Sequence, residues 1–417
     1  MENLAHSLIG LLCAEVVVRV VERRRPLDSW SRGALYAIAI IGNNLPDLDF
    51  TYSSISGPRF GYLLQHRGYT HTVPAAFGFA LVTLAALLGL AKWQKQELSA
   101  QDWRLFAGLA VLSPLAHIAM DFANNYGVHP FWPLYDGWFY GDSVFILEPS
   151  LWLVLSAPLL FSYRSKRARG LLLLTLARGL GAVWYRPFVP RGNAAVLTLI
   201  TLCLLAYARK KTPFSRMLLA SAGFALVLGC FVLGSRMAKV LVLERARSAF
   251  PAARILDVVA TPMPANPLCW SVLLLQKDDQ QYIVRLGRAA IAPSWLSVKE
   301  CPFDRSAQPT APLHATDVAP DSRLILNQEY RVSLADLRAV VSERCAARAL
   351  LRFTRVPYLS ELQADGSRVI GDLRYDRNPG LDFSDVRLGA KHPGKLDWCP
   401  EHVPPWRPPR SDIFSNP

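Results

Sequence analysis

The sequence lacks internal repeats and low-complexity tracts, which sets aside solenoid, propeller and tethered disordered architectures. A cleavable leader is not expected: the first apolar stretch carries Glu15 and Arg19, and no small-residue cleavage site follows it. Cysteine is sparse, with seven in 417 residues, and none stands among the histidines of the first 130 residues, since Cys13 lies deeper in its apolar segment. A thiolate-rich structural metal site is therefore not expected there. Acidic residues are outnumbered, 32 Asp and Glu against 46 Lys and Arg, for a net charge of +14. The excess sits at the ends of apolar runs, the pattern of topology signals, so no nucleic-acid partner is expected.

What the chain has in quantity is apolar sequence. Hydrophobic residues make up 52% of it, and the mean hydropathy is +0.20. Runs such as Val73–Leu90, Val144–Phe161, Ala194–Ala208 and Met217–Gly234 approach the roughly 20 residues that cross a bilayer core of about 30 Å. From about Glu244 the chain turns polar and rich in proline. The expected fold is an α-helical integral membrane bundle of about eight transmembrane segments, residues 1–243, followed by a small α+β or mostly β soluble domain, residues 244–417.

The eight segments fall at about 4–20, 33–46, 73–91, 105–122, 144–162, 170–185, 194–208 and 216–235. Loops 19–32, 92–104, 163–170 and 209–216 hold sixteen Lys and Arg, whereas the alternating loops hold four: Arg59, Arg67, Arg186 and Arg191. The positive-inside rule puts the first set in the cytoplasm and the C-terminal domain outside it. The first segment is short and charged, and the sixth carries Arg178 near its middle, which is costly in hydrocarbon unless it faces protein or water. Without the sixth span the C-terminal domain moves to the cytoplasm, but Arg209-Lys210-Lys211 then lies outside.

Mapped on this topology, the ionisable groups of the first half gather at one end. His6 begins segment one; Asp47 and Asp49 close segment two in Asn43-Asn44-Leu45-Pro46-Asp47-Leu48-Asp49; His66 and His71 precede segment three; His117 and Asp121 sit in the last turns of segment four. The topology rests on Lys and Arg alone, so this convergence is independent of it. His117 and Asp121 are i and i+4 on a helix and project from one face. Pro46 breaks the backbone where the two aspartates must turn back, and Gly68 is expected to allow a tight turn between His66 and His71. Imidazole and carboxylate donors suit a divalent metal, zinc first, with manganese and iron as alternatives and more than one ion allowed. The plainer readings are a satisfied buried His117–Asp121 pair, interfacial His66 and His71, and an Asp47-Leu48-Asp49 helix-end turn. Ionisable groups near a bilayer are costly, and six gathering on one side favour a metal: His6, Asp47, His66, His71, His117 and Asp121. His129 reads as a loop residue, and Asp142 and Glu148 as structural groups.

These motifs, in order Asn-Leu-Pro-Asp-Leu-Asp, His-Arg-Gly-Tyr-Thr-His-Thr, Ala-His-Ile-Ala-Met-Asp and Tyr-Gly-Val-His-Pro-Phe-Trp-Pro after an early histidine, resemble the YdjM-like inner-membrane metal-dependent hydrolases across residues 1–165. Pro264-Ala265-Asn266-Pro267-Leu268-Cys269-Trp270 resembles the extra domain of longer members. The family is distantly similar to zinc-dependent phospholipase C. The resemblance implies the six metal ligands above, with Asp49 as a further candidate, and a bacterial inner-membrane location. It names no substrate.

In the C-terminal domain, strands are expected at Trp270–Gln276 and Tyr282–Leu286 around a Lys277-Asp278-Asp279-Gln280 turn, and at Arg348–Val356, Arg368–Tyr375 and Asp382–Leu388. A helix is expected over Leu334–Ala347, capped by Ser333. Cys269, Cys301, Cys345 and Cys399 fit disulfides of an oxidising compartment, with the pairing open. No nucleophile elbow or phosphate loop is present, and His314, His392 and His402 read as surface residues.

The function expected is metal-dependent hydrolysis of a membrane lipid or lipid-linked phosphoester at the outer face. Metal would lower the pKa of bound water toward about 7. Asp49 would act as base or ligand, Arg67 would hold an anionic headgroup, and Trp132, Trp138 and Phe139 would rest at headgroup level. The alternatives are a metal or proton transporter, which should carry ionisable groups at the midplane and on both sides, and a scaffold whose metal only braces the bundle. Oligomeric state is not readable from the sequence.

Overall fold

The computed structural model describes residues 2–185, 189–302, 311–316, 318–375, 383–389 and 399–414, without the side chains of 58 and 59. The N-terminal half is helical. α1 (Asn3–Glu22) starts where Glu2 accepts from the Leu4 and Ala5 amides, and α2 (Ser29–Gly42) where Asp28 accepts from Trp30 and Ser31. Two 3₁₀ turns over Leu45–Thr51 and Ser53–Ser56 lead to α3 (Gly57–Gln65). α4 (Val73–Trp93) is capped by Thr72, and α5 (Ala100–Phe122) by a Ser99–Asp102 capping box. After a long loop come α6 (Pro149–Leu159), α7 (Lys166–Tyr185), α8 (Arg191–Arg209) and α9 (Pro213–Ala249).

Among the described residues five helices are long and apolar enough to cross a membrane: α1, α4, α5, α8 and α9. The expected eight spans are therefore not all present as such. α2 has 14 residues and ends before Pro46, about 21 Å of helix at 1.5 Å per residue. α6 has 11 residues, about 16 Å, and every one is buried. Its apolar run is a core helix wrapped by protein, which composition cannot distinguish from a lipid-facing one. α7 carries Lys166, Arg167, Arg169 and Arg178. The outer faces of α4 and α8 are lipid-like, with Phe77, Leu81, Val82, Val196 and Leu199 exposed.

α9 has 37 residues, about 56 Å, and runs without a break across residue 243. Beyond it lies an antiparallel sheet in the order β1-β2-β3-β5-β4: β1 (Arg254–Met263), β2 (Asn266–Lys277), β3 (Gln281–Ala290), β4 (Leu313–Ala315) and β5 (Leu324–Ser333). The expected β2–β3 hairpin is present, and Asp278 Oδ1 accepts from the Gln280 and Gln281 amides in its turn. The helix capped by Ser333 ends early: α10 (Leu334–Glu343) breaks at Arg344 and α11 (Cys345–Leu350) follows. The strand expected over Arg348–Val356 is thus partly helix. A second sheet holds β6 (Pro357–Leu359), β7 (Arg368–Asp372) and β8 (Val386–Leu388). The disulfides are Cys269–Cys301 and Cys345–Cys399. The free cysteines, Cys13, Cys203 and Cys230, all lie in helices.

The larger sheet is two-faced. Val258, Ala260, Trp270, Val272 and Leu274 join the core of α1, α6 and α9. Val259, Leu273, Leu275, Val284 and Tyr330 join the other core, which also takes in Phe60, Leu63, Leu64 and Tyr126 of the helical half. Both hydrophobic cores cross from one half of the chain to the other.

Candidate metal centre

α5 places His117 and Asp121 one turn apart at its end, both fully buried. The 3₁₀ turn after α2 alternates: Asp47 and Asp49 are buried, while Leu48 and Phe50 are about half exposed at 48% and 50%. His66 follows α3. Arg67 takes the left-handed conformation, φ 59°, and Gly68 does not, which corrects the tight-turn role expected for the glycine. Gly68 is needed for space: a Cβ there would lie 2.6 Å from Gln65 O and 2.9 Å from the Trp406 ring.

His71 Nε2 and His117 Nε2 are 3.1 Å apart. Asp121 Oδ2 lies 3.2 Å from the first and 3.4 Å from the second, and Asp47 Oδ1 lies 3.5 Å from each. Donors at about 2.0–2.1 Å from a tetrahedral zinc stand about 3.3 Å from one another. These separations are therefore those of four ligands around one small divalent cation. Asp47, Asp49 and His66 form a second group, sharing Asp47, with His66 Nδ1 3.1 Å from Asp49 Oδ1. Asp47 Oδ1 is buried with no hydrogen-bond partner among the described residues, as a carboxylate oxygen that could take a cation would be.

The rings are aimed from behind. His117 Nδ1 lies 2.8 Å from Asn43 O, so it donates there and leaves the Nε2 lone pair facing the cluster. His71 Nδ1 lies 3.3 Å from Asp49 Oδ2 and 3.1 Å from Thr70 Oγ1. Burial pushes the Asp47 and Asp49 carboxyls up, but His117 and His71 beside Asp47, and His66 and His71 beside Asp49, hold both well below the usual carboxylate range. Burial takes His66 down to about 4 against the pull of Asp49. At neutral pH Asp47 and Asp49 are thus carboxylates and His66 a neutral imidazole, the forms that bind metal.

Not every expected residue joins a group. His6 stacks on His117 with ring centroids 3.7 Å apart, and its Nε2 lies 3.3 Å from Asp121 Oδ1, but it belongs to neither set of converging donors. Arg67 is fully buried. It donates through Nη2 to Asp121 Oδ1 at 2.9 Å and through Nη1 to Asn124 Oδ1 at 2.8 Å and Asp121 O at 3.2 Å. Its backbone amide donates to Asp49 Oδ2 at 2.8 Å. His129 is buried between the rings of Trp138 and Trp406. Asp142 pairs with Lys239 and Arg355, and Glu148 caps α6 while accepting from the Ala265 amide. His314 and His402 are exposed, and His392 lies outside the described residues.

Asn43, Thr70 and Asn124 were not singled out from sequence; their neighbours in the motifs were the only signal. Of the converging donors only Asp47 and His66 retain any exposure, 6% each, so that edge lies nearest to solvent. Glu15 is buried at 0%, nine residues or about 14 Å of helix from His6. Arg19 pairs with it at 2.8 Å, and the Tyr36 and Tyr163 hydroxyls donate to it at 2.6 and 2.5 Å.

Residues 1–211 match the family model described as YdjM inner membrane protein. No curated protein and no solved structure is matched, so the likeness to zinc-dependent phospholipase C gains no support from them. The match covers half of the chain and contains every one of the site residues above.

Proposed function

The chain belongs to the YdjM inner membrane protein family, and we propose that it is a metal-dependent hydrolase acting on a lipid or lipid-linked phosphoester at the outer face of the membrane. The observation that carries this reading is the set of four buried donors, Asp47, His71, His117 and Asp121, spaced as ligands of one cation at one end of the bundle. Nitrogen and oxygen donors without thiolate are the donor types of catalytic zinc, and with all four protein donors engaged a reactant would enter as a fifth ligand. Asp49 and His66 offer a second position with Asp47, or a proton-handling pair at the exposed edge.

A divalent cation bound there supplies Lewis acidity and a route to ionised water near neutral pH. The chain's own residues do the rest. Asp47 and His66 lie at the edge nearest to solvent, the side from which a scissile group would enter. Asp49, hydrogen-bonded to His66, accepts a proton from the attacking water and returns it to the leaving oxygen. Arg67 acts on Asp121 as a positioning residue, in place of the headgroup contact expected from sequence. Leu48 and Phe50, exposed on the turn that carries Asp47 and Asp49, suit an acyl chain.

The transporter alternative has less support. The buried acids away from the centre are committed: Glu15 to Arg19, Tyr36 and Tyr163, and Asp102, at the opposite end of α5, to Arg25. The outward assignment draws support from the basic loops and from the restriction of both disulfides to the C-terminal domain. The test is hydrolysis of a phosphoester and acyl-ester lipid panel by chelator-stripped protein with zinc, manganese or iron restored. Metal-dependent cleavage lost in His117→Ala is expected. Equal rates with and without metal, unchanged by His117→Ala, would end the enzyme reading.

A further inference from the structure

We propose that Arg374, in the C-terminal domain, is a positioning residue of the metal centre, acting on Asp121 through Tyr126 and Arg67. The proposal rests on the metal-binding reading of the cluster and deepens it, because it gives the C-terminal domain a task.

Arg374 and Asp372 are both fully buried and paired at 2.8 Å. The pair fixes the guanidinium, which reaches out of its own domain. Nη1 donates to Asn125 O at 2.6 Å and to Tyr126 O at 3.3 Å, while Nη2 donates to Phe353 O at 3.1 Å. The backbone that Arg374 holds is the segment just past α5, four and five residues after Asp121. The Tyr126 ring is clamped between the halves, 4.8 Å from the Phe353 ring and 4.6 Å from the Arg67 guanidinium carbon. Arg67 in turn holds Asp121 Oδ1, leaving Oδ2 toward His71 and His117.

A buried arginine stacked on an aromatic face is positioned by that face, since a planar cation gains from the ring and loses its freedom to rotate away. The Tyr126 hydroxyl is buried with no hydrogen-bond partner among the described residues, so the ring carries the effect and the hydroxyl does not. The loop that carries Arg67 is itself held by the C-terminal domain, through the Trp406 ring 5.3 Å from Tyr69 and close against Gly68. The domain grips the ligand loops from two directions.

The experiment is Co(II) titration of the purified full-length chain in detergent, read by d–d absorption and affinity. Partners behind metal ligands typically carry 10–100-fold in affinity. Arg374→Ala and Tyr126→Leu are each expected to weaken Co(II) binding about tenfold and to alter the absorption band, with Tyr126→Phe like wild type. Should Arg374→Ala fail to fold, Tyr126→Leu, which leaves the Arg374–Asp372 pair intact, decides alone. Wild-type affinity and spectrum in both, beside weakened Arg67→Ala, overturn this proposal and leave the metal reading standing. A wild type that binds no Co(II) overturns both.

Discussion

Arg355 of the C-terminal domain grips Asp142 of the helical half with two hydrogen bonds, 2.7 and 3.0 Å, across 213 residues of sequence. Asp142 is fully buried and also takes Lys239 Nζ of α9 at 2.7 Å. Arg355 reaches on to Asp257 of β1 at 2.9 Å. Removing one member of a buried pair strands the other, at a cost of about 3–5 kcal/mol. Because Arg355 keeps Asp257, Asp142→Asn is expected at the low end, about 3 kcal/mol, measured by thermal unfolding in detergent. A midpoint equal to wild type would show that the halves are held by apolar packing alone.

The same network sets an acid limit. Burial pushes the Asp257 carboxyl up, but Arg355, with Arg410 and Lys239, brings it down to about 2. A carboxyl depressed in the folded state stabilises fully above its unfolded value, about 3.9, and loses that contribution as pH falls through about 2. Wild type should therefore outlast Asp257→Asn by a constant margin above about pH 4, and the margin should shrink below it. A margin that grows on acidification would contradict the assignment.

Gly234 in α9 is where the sheet comes closest. A Cβ there would meet the buried Trp270 ring at 2.7 Å and Pro267 O at 2.9 Å. Glycine to alanine inside a helix ordinarily gains about 1 kcal/mol, whereas overpacking costs about 1–3 kcal/mol. Backbone and indole cannot both give way, so Gly234→Ala is expected to lower the unfolding midpoint. Gly229→Ala, with open space around it, is the control and should not. Equal midpoints for the two would show that α9 and the sheet can separate freely.

Trp295 is 82% exposed in the C-terminal domain and offers a topology probe. In intact cells with a permeable outer barrier, Trp295→Cys should react with a membrane-impermeant maleimide. Labelling only after lysis would place the domain in the cytoplasm.

The sequence made the site more legible than the fold. Charged groups in an apolar setting announce themselves, so the His and Asp motifs and their common end could be read directly. Spans were harder, because α6 is apolar on every side for being buried in protein, and a hydropathy run looks the same either way. β5 has Leu324, Leu326, Tyr330 and Val332 inward, but the buried Gln328 interrupts that apolar row and Ile325 puts an apolar residue in the other, which hid the period of two. β1 was obscured by Asp257 and Pro262. Arg374 could not be found at all, since the carbonyls that tie it to the helical half lie 248 and 249 residues away, and its nearby partner Asp372 marks only a local ion pair.

The most direct test is elemental analysis of the purified full-length chain beside His71→Ala and Asp121→Ala. The account predicts one or two equivalents of a divalent transition metal per wild-type chain, and loss from both variants while they remain folded. Wild-type protein with no bound metal after exposure to zinc, or variants that retain the full complement, would contradict it.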